Sequence, residues 1–198
     1  MNGDGAERPT RPLTGIVADS GSRPRTRQSP LAYAWHVAIR VSAGILLFRR
    51  SGGLLEVLLG HPGGPFFGRK ELGNWSIPKG ETSAADQALE LTARREFEEE
   101  TGHPVPDGPL IDLGWVRQKG GKIVHAWAAE GDLDPAAAIS NTFSFEWPPF
   151  SGRVKEYLEI DRVAWYDPLE ARRHIKETQI PFLDRLEATL GGDRLGES

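Results

Sequence analysis

Short apolar runs separated by glycine and proline make up most of the chain between its tail and its end. Residues 37–48 and 54–59 are two such runs with a glycine-containing turn between them, which predicts a β-hairpin with a bend near Gly44. Similar runs bounded by turn residues predict further strands at 74–77, 110–118, 122–130, 141–145 and 162–166.

A helical pattern begins after these first strands. Thr82 or Ser83 can cap a helix that runs to about Thr101, and Gly102 is placed to end it. Its buried stripe is predicted from apolar residues at i, i+4 and i+8, which are Leu89, Ala93 and Phe97. Pro168 and Pro181 open two shorter helices that run to about 176 and 190. Strands and helices mixed in this way predict an α/β fold with a mixed sheet and helices packed on it.

The first 33 residues have a different composition from the rest. They are basic and rich in proline, with little to bury, which predicts a disordered tail at 1–33 and a folded domain at 34–198. An alternative is that the tail is an RNA-binding arm. The absence of aromatic residues among its arginines argues against this alternative, and deletion of 1–33 would test it.

Charge and composition exclude several classes of protein. The net charge of −4 gives no general attraction to nucleic acid, so no stable nucleic-acid partner is expected. The chain has no cysteine, which excludes disulfides and thiolate chemistry and is consistent with a cytoplasmic location. No apolar run approaches the roughly 20 residues that span a bilayer, so no membrane partner is expected.

Acidic residues are concentrated at the end of the predicted central helix. Glu96, Glu99 and Glu100 share one helix face because residues three and four apart are neighbours, whereas Glu98 points elsewhere. Carboxylates clustered in this way repel one another unless a cation binds between them. Oxygen ligands suit a hard divalent cation, most naturally Mg²⁺, and such a site usually serves phosphate chemistry.

The segment from Gly80 to His103 resembles the Nudix box, Gly-x5-Glu-x7-Arg-Glu-U-x-Glu-Glu-x-Gly-U, in which U is a bulky aliphatic residue. Its second half matches position by position, through Arg95, Glu96, Phe97, Glu99, Glu100 and Gly102. The preceding residues 75–81 also look like the approach to that box, and the order of elements extends the resemblance over 37–190. The resemblance implies a single-domain α/β/α sandwich around a mixed central sheet.

The segment departs from the family pattern in two places. The two glycines lie one residue further apart than in the family, so the first acidic position falls on Asp86 or Gln87, depending on the end from which it is counted. The final aliphatic position is occupied by His103. These departures bear on the first half of the box and leave the three helical carboxylates in place.

The resemblance implies Mg²⁺-dependent hydrolysis of a nucleoside diphosphate linked to another group, with Mn²⁺ as an alternative ion. The implied metal ligands are the Gly80 carbonyl with Glu96, Glu99 and Glu100, and the implied partner is a nucleotide substrate. A homodimer is left open. The alternative is a Nudix-fold module that binds or senses a nucleotide without efficient cleavage, for which the shifted first half of the box is the sequence indication.

Catalytic roles are assigned within the same helix. Glu99 is the first choice for a carboxylate that also activates water, and Arg95 orients a glutamate, with Glu96 as part of the same group. In many relatives the base lies on a later loop, where Glu156 and Glu159 are both available here, and the sequence does not choose between them.

Substrate contacts are predicted in front of the box. Lys79 and Lys70 can meet phosphates, and Trp75 can stack on a nucleobase, although each aromatic residue is more often part of a core. The phrases at 61–65 and 75–80 look most like a bacterial subgroup of predicted NTP pyrophosphohydrolases. They are also similar to dinucleoside polyphosphate hydrolases, which share the Pro-Lys-Gly before the box.

Overall fold

The central sheet is mixed, because one of its strand pairs is parallel and the others are antiparallel. The computed structural model describes residues 40–83 and 88–192, all within one unit that spans Ala38–Ser198. The strands are β1 (Val41–Ser51), β2 (Leu54–Pro62), β3 (Lys79–Glu81), β4 (Ile111–Arg117), β5 (Ile123–Glu130), β6 (Thr142–Glu146), β7 (Val154–Leu158) and β8 (Ile160–Tyr166). The helices are α1 (Leu89–Thr101), α2 (Pro168–His174) and α3 (Ile180–Gly192).

Strand β1 lies at the centre of this sheet. The order is β4-β5-β1-β2-β8, with β3 paired antiparallel to the first half of β1 and β5 paired parallel to it. Strands β6 and β7 form a separate antiparallel ribbon. The parallel β1–β5 pair needs a long crossover, and the segment that contains α1 and β4 supplies it.

Helices cover both faces of the sheet, which confirms the predicted α/β/α sandwich. Side chains alternate along a strand, so Ala43, Ile45 and Leu47 of β1 share one face and Leu46 and Phe48 the other. The first set packs with Ala93 and Phe97 of α1. The second set packs with residues of α2 and α3, including Ala171, Phe182, Leu183 and Leu186. Burial on both faces explains the nearly unbroken apolar sequence of β1.

Two glycines form the predicted turn between β1 and β2. Gly52 and Gly53 have φ angles of 59° and 85°, and Ser51 pairs with Leu54 across them. Positive φ at both central residues gives the turn whose twist matches that of the flanking strands.

Gly44 has a different role from the predicted bend, because β1 continues through it. A Cβ at this position would lie 2.4 Å from the carbonyl oxygen of Pro78 and 2.4 Å from the Cβ of Lys79. Glycine therefore lets the chain that enters β3 approach β1, and the N–H of Ile45 donates to the Pro78 carbonyl at 3.1 Å.

We expect Gly44→Ala to lower the free energy of unfolding by about 2 kcal/mol, because the added methyl group meets backbone that cannot move without breaking the β1–β3 pairing. Gly68→Ala is the control, since nothing lies within 4 Å of a Cβ there. Urea titration of both variants checks the prediction. Equal midpoints for the two variants would contradict it.

The start of the central helix was predicted too early. Helix α1 begins at Leu89 with Ala88 as its N-terminal cap, and no side chain caps it, so neither Thr82 nor Ser83 has that role. Its end was predicted correctly, because Gly102 has a φ of 75° and donates its N–H to the Glu98 carbonyl. The buried stripe is also confirmed: Ala93 and Phe97 are fully buried, and Leu89 packs against the same core.

One strand prediction was wrong, and one strand was not predicted. Trp75 and Ser76 make only isolated bridges, and the strand in this region is β3, beyond Pro78. Strand β7 was not predicted, because its interior residues Lys155 and Glu156 are exposed in a two-stranded ribbon and leave no alternating pattern of apolar positions.

Some predictions fall on residues that the structure does not describe. These are the tail at 1–33, the domain start at 34–39 and the first acidic position of the box at Asp86 or Gln87. Among the helices that are described, none has the length and apolar character needed to cross a bilayer.

Candidate functional site

The last turns of α1 present three carboxylates toward one cleft. Glu96 and Glu100 are buried, with 8% and 9% of their surfaces exposed, whereas 39% of the Glu99 side chain is exposed. The helical spacing explains this arrangement, since Glu96 and Glu100 lie above one another and Glu99 lies beside them. Glu98 is exposed on another part of the helix, as predicted.

Strand β3 brings a glycine directly against these carboxylates. A Cβ on Gly80 would fall 1.7 Å from Oε2 of Glu96, so only glycine fits. The neighbouring N–H of Lys79 donates to Oε2 of Glu100 at 2.7 Å. Pairing of Gly80 with Ala43 of β1 holds this strand in register, so the sheet sets the distance between the glycine and the acidic helix.

Arg95 connects the carboxylates with each other and with β3. Its Nη1 lies 2.8 Å from Oε1 of Glu96 and 2.9 Å from Oε2 of Glu99. Its Nη2 donates to the Glu81 carbonyl at 3.3 Å. One guanidinium nitrogen thus bridges two carboxylates. This geometry agrees with a role of Arg95 in orienting glutamates.

The carboxylates open into a cleft of about 620 Å³. Seven of the predicted residues line it: Lys79, Gly80, Arg95, Glu96, Glu99, Glu100 and Glu159. Of the two later glutamates, Glu159 lines the cleft and Glu156 is an exposed residue of β7. The backbone of Glu159 is fixed, because its N–H donates to Asn141 and its carbonyl accepts from Gly63.

Two predicted substrate contacts lie elsewhere. Trp75 is 1% exposed and packs edge-on against His61 and Tyr166, with ring centroids 5.2 and 5.3 Å away. A ring enclosed in this way has no free face for a nucleobase, which contradicts the prediction for Trp75. Lys70 does not line the cleft; its ammonium lies 5.4 Å from the ring of Phe67.

Other cleft residues were not identified from the sequence, namely Glu81, Ser83, Lys122, Asn141 and Thr142. Lys122 stands in a turn, where a single lysine gives no signal, and its ammonium pairs with the Glu81 carboxylate at 3.0 Å. The N–H of Asn141 donates to the Glu99 carbonyl at 3.0 Å, which joins the base of the β6–β7 ribbon to α1.

Burial changes the protonation of the two inner carboxylates. The pKa of Glu100 is raised to about 7, chiefly by burial and also by the nearby Glu159 and Glu96 carboxylates, against the opposing charge and N–H of Lys79. Desolvation likewise raises the pKa of Glu96, opposed mainly by Arg95. The positive charges and N–H donors of the protein therefore do not fully offset the negative charges of Glu96 and Glu100.

The donor set fits a hard divalent cation by its chemistry, since every candidate ligand is a carboxylate or carbonyl oxygen. The carboxylates of Glu96, Glu99 and Glu100 do not converge on one point as the ligands of a bound cation would. Within residues 40–83 and 88–192, no three acidic or histidine side chains stand in positions that would hold an ion. Arg95 explains part of this, because it draws the Glu96 and Glu99 carboxylates toward itself.

The fold and the cleft together define a class of mixed α/β protein. In it, the carboxylates of one helix lie against a glycine of a neighbouring strand and offer oxygen donors to a hard cation. The NUDIX domain family matches residues 38–186, and the chain therefore belongs to the Nudix hydrolase family. No curated protein sequence matches the chain significantly.

Solved structures with the same fold include three informative neighbours. The NUDIX domain of Shewanella oneidensis NrtR, complexed with ADP ribose, has a TM-score of 0.56 at 19% identity, over 77% of this chain and 89% of that one. A C. elegans Ap4A hydrolase in a binary complex has a TM-score of 0.53 at 19% identity, over 76% and 98%. A mutT/nudix family protein from Listeria innocua has 0.52 at 20% identity, over 79% and 96%. At these identities the likeness shows the fold.

Proposed function

We propose that this protein is a Mg²⁺-dependent pyrophosphohydrolase that cleaves a phosphoanhydride bond of a nucleoside diphosphate linked to a further group. NTPs and dinucleoside polyphosphates are the substrate classes that we favour. The observation that carries the proposal is the convergence of Glu96, Glu99 and Glu100 with Gly80 in one open cleft.

The residues proposed to hold the cation are the three glutamates and the carbonyl of Gly80. When bound, Mg²⁺ or Mn²⁺ offsets the charge of the phosphates and polarises their oxygens. Gly80 contributes by having no side chain, because any larger residue would displace the Glu96 carboxylate. Arg95 holds Glu96 and Glu99 on the same side of the helix before a substrate binds.

The attacking water needs a base within reach. Glu99 is our first choice, because it is the most exposed of the three helical carboxylates and faces the cleft. Glu159 is the second candidate, since it lines the same cleft on a backbone held at both its N–H and its carbonyl. Lys79, also in the cleft, is proposed to contact a phosphate as a point charge.

The test is product release from a panel of nucleotides with about 5 mM Mg²⁺, with and without a chelator. The panel holds ATP, a dinucleoside tetraphosphate, an oxidised dGTP, ADP-ribose and a capped RNA end. The NrtR and Ap4A hydrolase neighbours justify the inclusion of ADP-ribose and the dinucleoside tetraphosphate. We expect chelator-sensitive cleavage of at least one member. Tight binding without cleavage would instead favour a nucleotide-binding module.

A further inference from the structure

Strand β3 separates two groups of charges. Side chains alternate across a strand, and Gly80 faces α1, so Lys79 stands on the other side of β3 while it still borders the carboxylate cleft. The segment between α2 and α3 packs there. Its Lys176 donates a backbone N–H to the Trp75 carbonyl at 2.8 Å, and its Gln179 side chain accepts from the N–H of Ile77 at 3.1 Å.

Three lysines in this region are half-buried, namely Lys79, Lys122 and Lys176, and the charges of the first two act on the third. Lys122 pairs with Glu81, but among the described residues neither Lys79 nor Lys176 has a carboxylate within ion-pair distance. The pKa of Lys176 is lowered to about 8, chiefly by burial and also by the neighbouring Lys79 and Lys122 ammonium groups, against partial opposition from Glu100. The unliganded protein therefore holds these positive charges close together at an energetic cost.

Lys176 also lines a second cavity, of about 520 Å³, on its side of β3. Gln118 lines the same cavity, and its Nε2 is buried without a hydrogen-bond acceptor among the described residues. The lining of this cavity has one acidic residue, Glu177, and four basic residues, which are Lys119, Arg172, Arg173 and Lys176. A buried surplus of donors and positive charge is satisfied best by an anion with several oxygens.

We propose that Lys176, with Lys79 and Lys122, forms a phosphate subsite next to the carboxylate cleft, and that it holds phosphate groups of the substrate beyond the attacked anhydride. The identity of the anion rests on the proposed function. The attacked phosphate would lie by the glutamates, and the remaining phosphates would extend across the edge of β3 to the lysines. Such a subsite favours substrates with three or more phosphates over those with two.

The test is calorimetric titration of the full chain with inorganic tripolyphosphate, which carries the charges without a nucleoside. We expect Lys176→Met to weaken binding about tenfold, because it removes a charge-assisted hydrogen bond and keeps the apolar stem. Lys155→Met is the matched control, since Lys155 is an exposed residue of β7 and lines neither the cavity of Lys176 nor the carboxylate cleft. We expect this control within about twofold of wild type. Equal affinities for Lys176→Met and wild type would overturn the subsite.

A second measurement uses the wild-type protein and does not depend on a variant that folds. Acetic anhydride acetylates neutral amines, and tripolyphosphate should slow the modification of Lys176 at least fivefold while leaving that of Lys155 unchanged. Unprotected Lys176 in saturating tripolyphosphate would also overturn the proposal.

Without ligand, Lys176→Met should raise the melting temperature by about 2–4 °C, because it removes a repelled charge. If Lys176 had a purely structural role, the melting temperature would decrease.

These results separate the subsite from the proposed hydrolysis. If no nucleotide of the panel is cleaved and tripolyphosphate binding still depends on Lys176, the hydrolase proposal fails and the anion site stands. If nucleotides are cleaved and Lys176→Met binds tripolyphosphate as wild type does, only the subsite fails.

Discussion

Glu99→Gln is expected to lower turnover by about two or more orders of magnitude while the fold stays intact. The carboxylate faces the cleft and is the most exposed of the three on α1, so glutamine fits in its place. Glutamine keeps the shape and an acceptor for Arg95, but it cannot take a proton from water and is a weaker ligand for a cation. Single-turnover kinetics with the best substrate of the panel measure the loss.

Glu98→Gln is the matched control for this experiment. It makes the same chemical change one residue away, on an exposed position that does not line the cleft. We expect its turnover to stay within about twofold of wild type. A folded Glu99→Gln protein with a near-normal rate would reject Glu99 in both of its roles, and Glu159→Gln would then be the variant to measure.

Glu100→Gln is expected to stabilise the metal-free protein at pH 8.5 by up to about 3 kcal/mol. The raised pKa means that ionisation of Glu100 opposes folding, and a shift from 4.5 to about 7 corresponds to this energy. The stability that protonated Glu100 contributes is fully present below pH 4.5 and is lost as the pH rises through about 7. Glutamine stays neutral throughout and can still accept the N–H of Lys79.

Denaturant titrations at several pH values measure this effect, in one series with chelator and in a separate series with Mg²⁺ and no chelator. The difference between Glu100→Gln and wild type should grow from about pH 5 to pH 8.5 and shrink when Mg²⁺ is added, because the cation stabilises only the wild-type carboxylate. Glu99→Gln is the control, since its side chain is partly exposed and ion-paired with Arg95. Destabilisation by Glu100→Gln at pH 8.5 would show that the buried charge is already compensated.

The acidic helix illustrates what local sequence can predict. The 3.6-residue repeat placed Ala93 and Phe97 inside and set three glutamates on one face, and Gly102 marked the end of the helix. These features depend on neighbours within a few positions, so the sequence contains all the information they need. The beginning of the helix was harder to predict, because no side chain caps it. Threonine and serine are preferred over alanine at the N-terminal cap, so Thr82 and Ser83 were favoured over Ala88.

The candidate substrate contacts show the opposite case. Trp75 and Lys79 lie four residues apart, yet one is enclosed in the core and the other lines the cleft. The choice between Glu156 and Glu159 likewise depends on the ribbon of β6 and β7, whose exposed strand has no apolar pattern. Whether a side chain at one of these positions is buried depends on which helices and strands pack against it. Those long-range contacts cannot be predicted from the local pattern of a single sequence.

By itself, therefore, the sequence determined the mixed α/β class, the acidic helix and the glycine that faces it, because periodicity and local motif spacing encode them. Only the tertiary structure decided the depth at which Glu96 and Glu100 are buried, the fixed position of Glu159 and the meeting of Lys79, Lys122 and Lys176. These lysines are brought together by a β-pairing and by a segment almost one hundred residues away in the chain. Their electrostatic effect depends on distance in space, which no local pattern records.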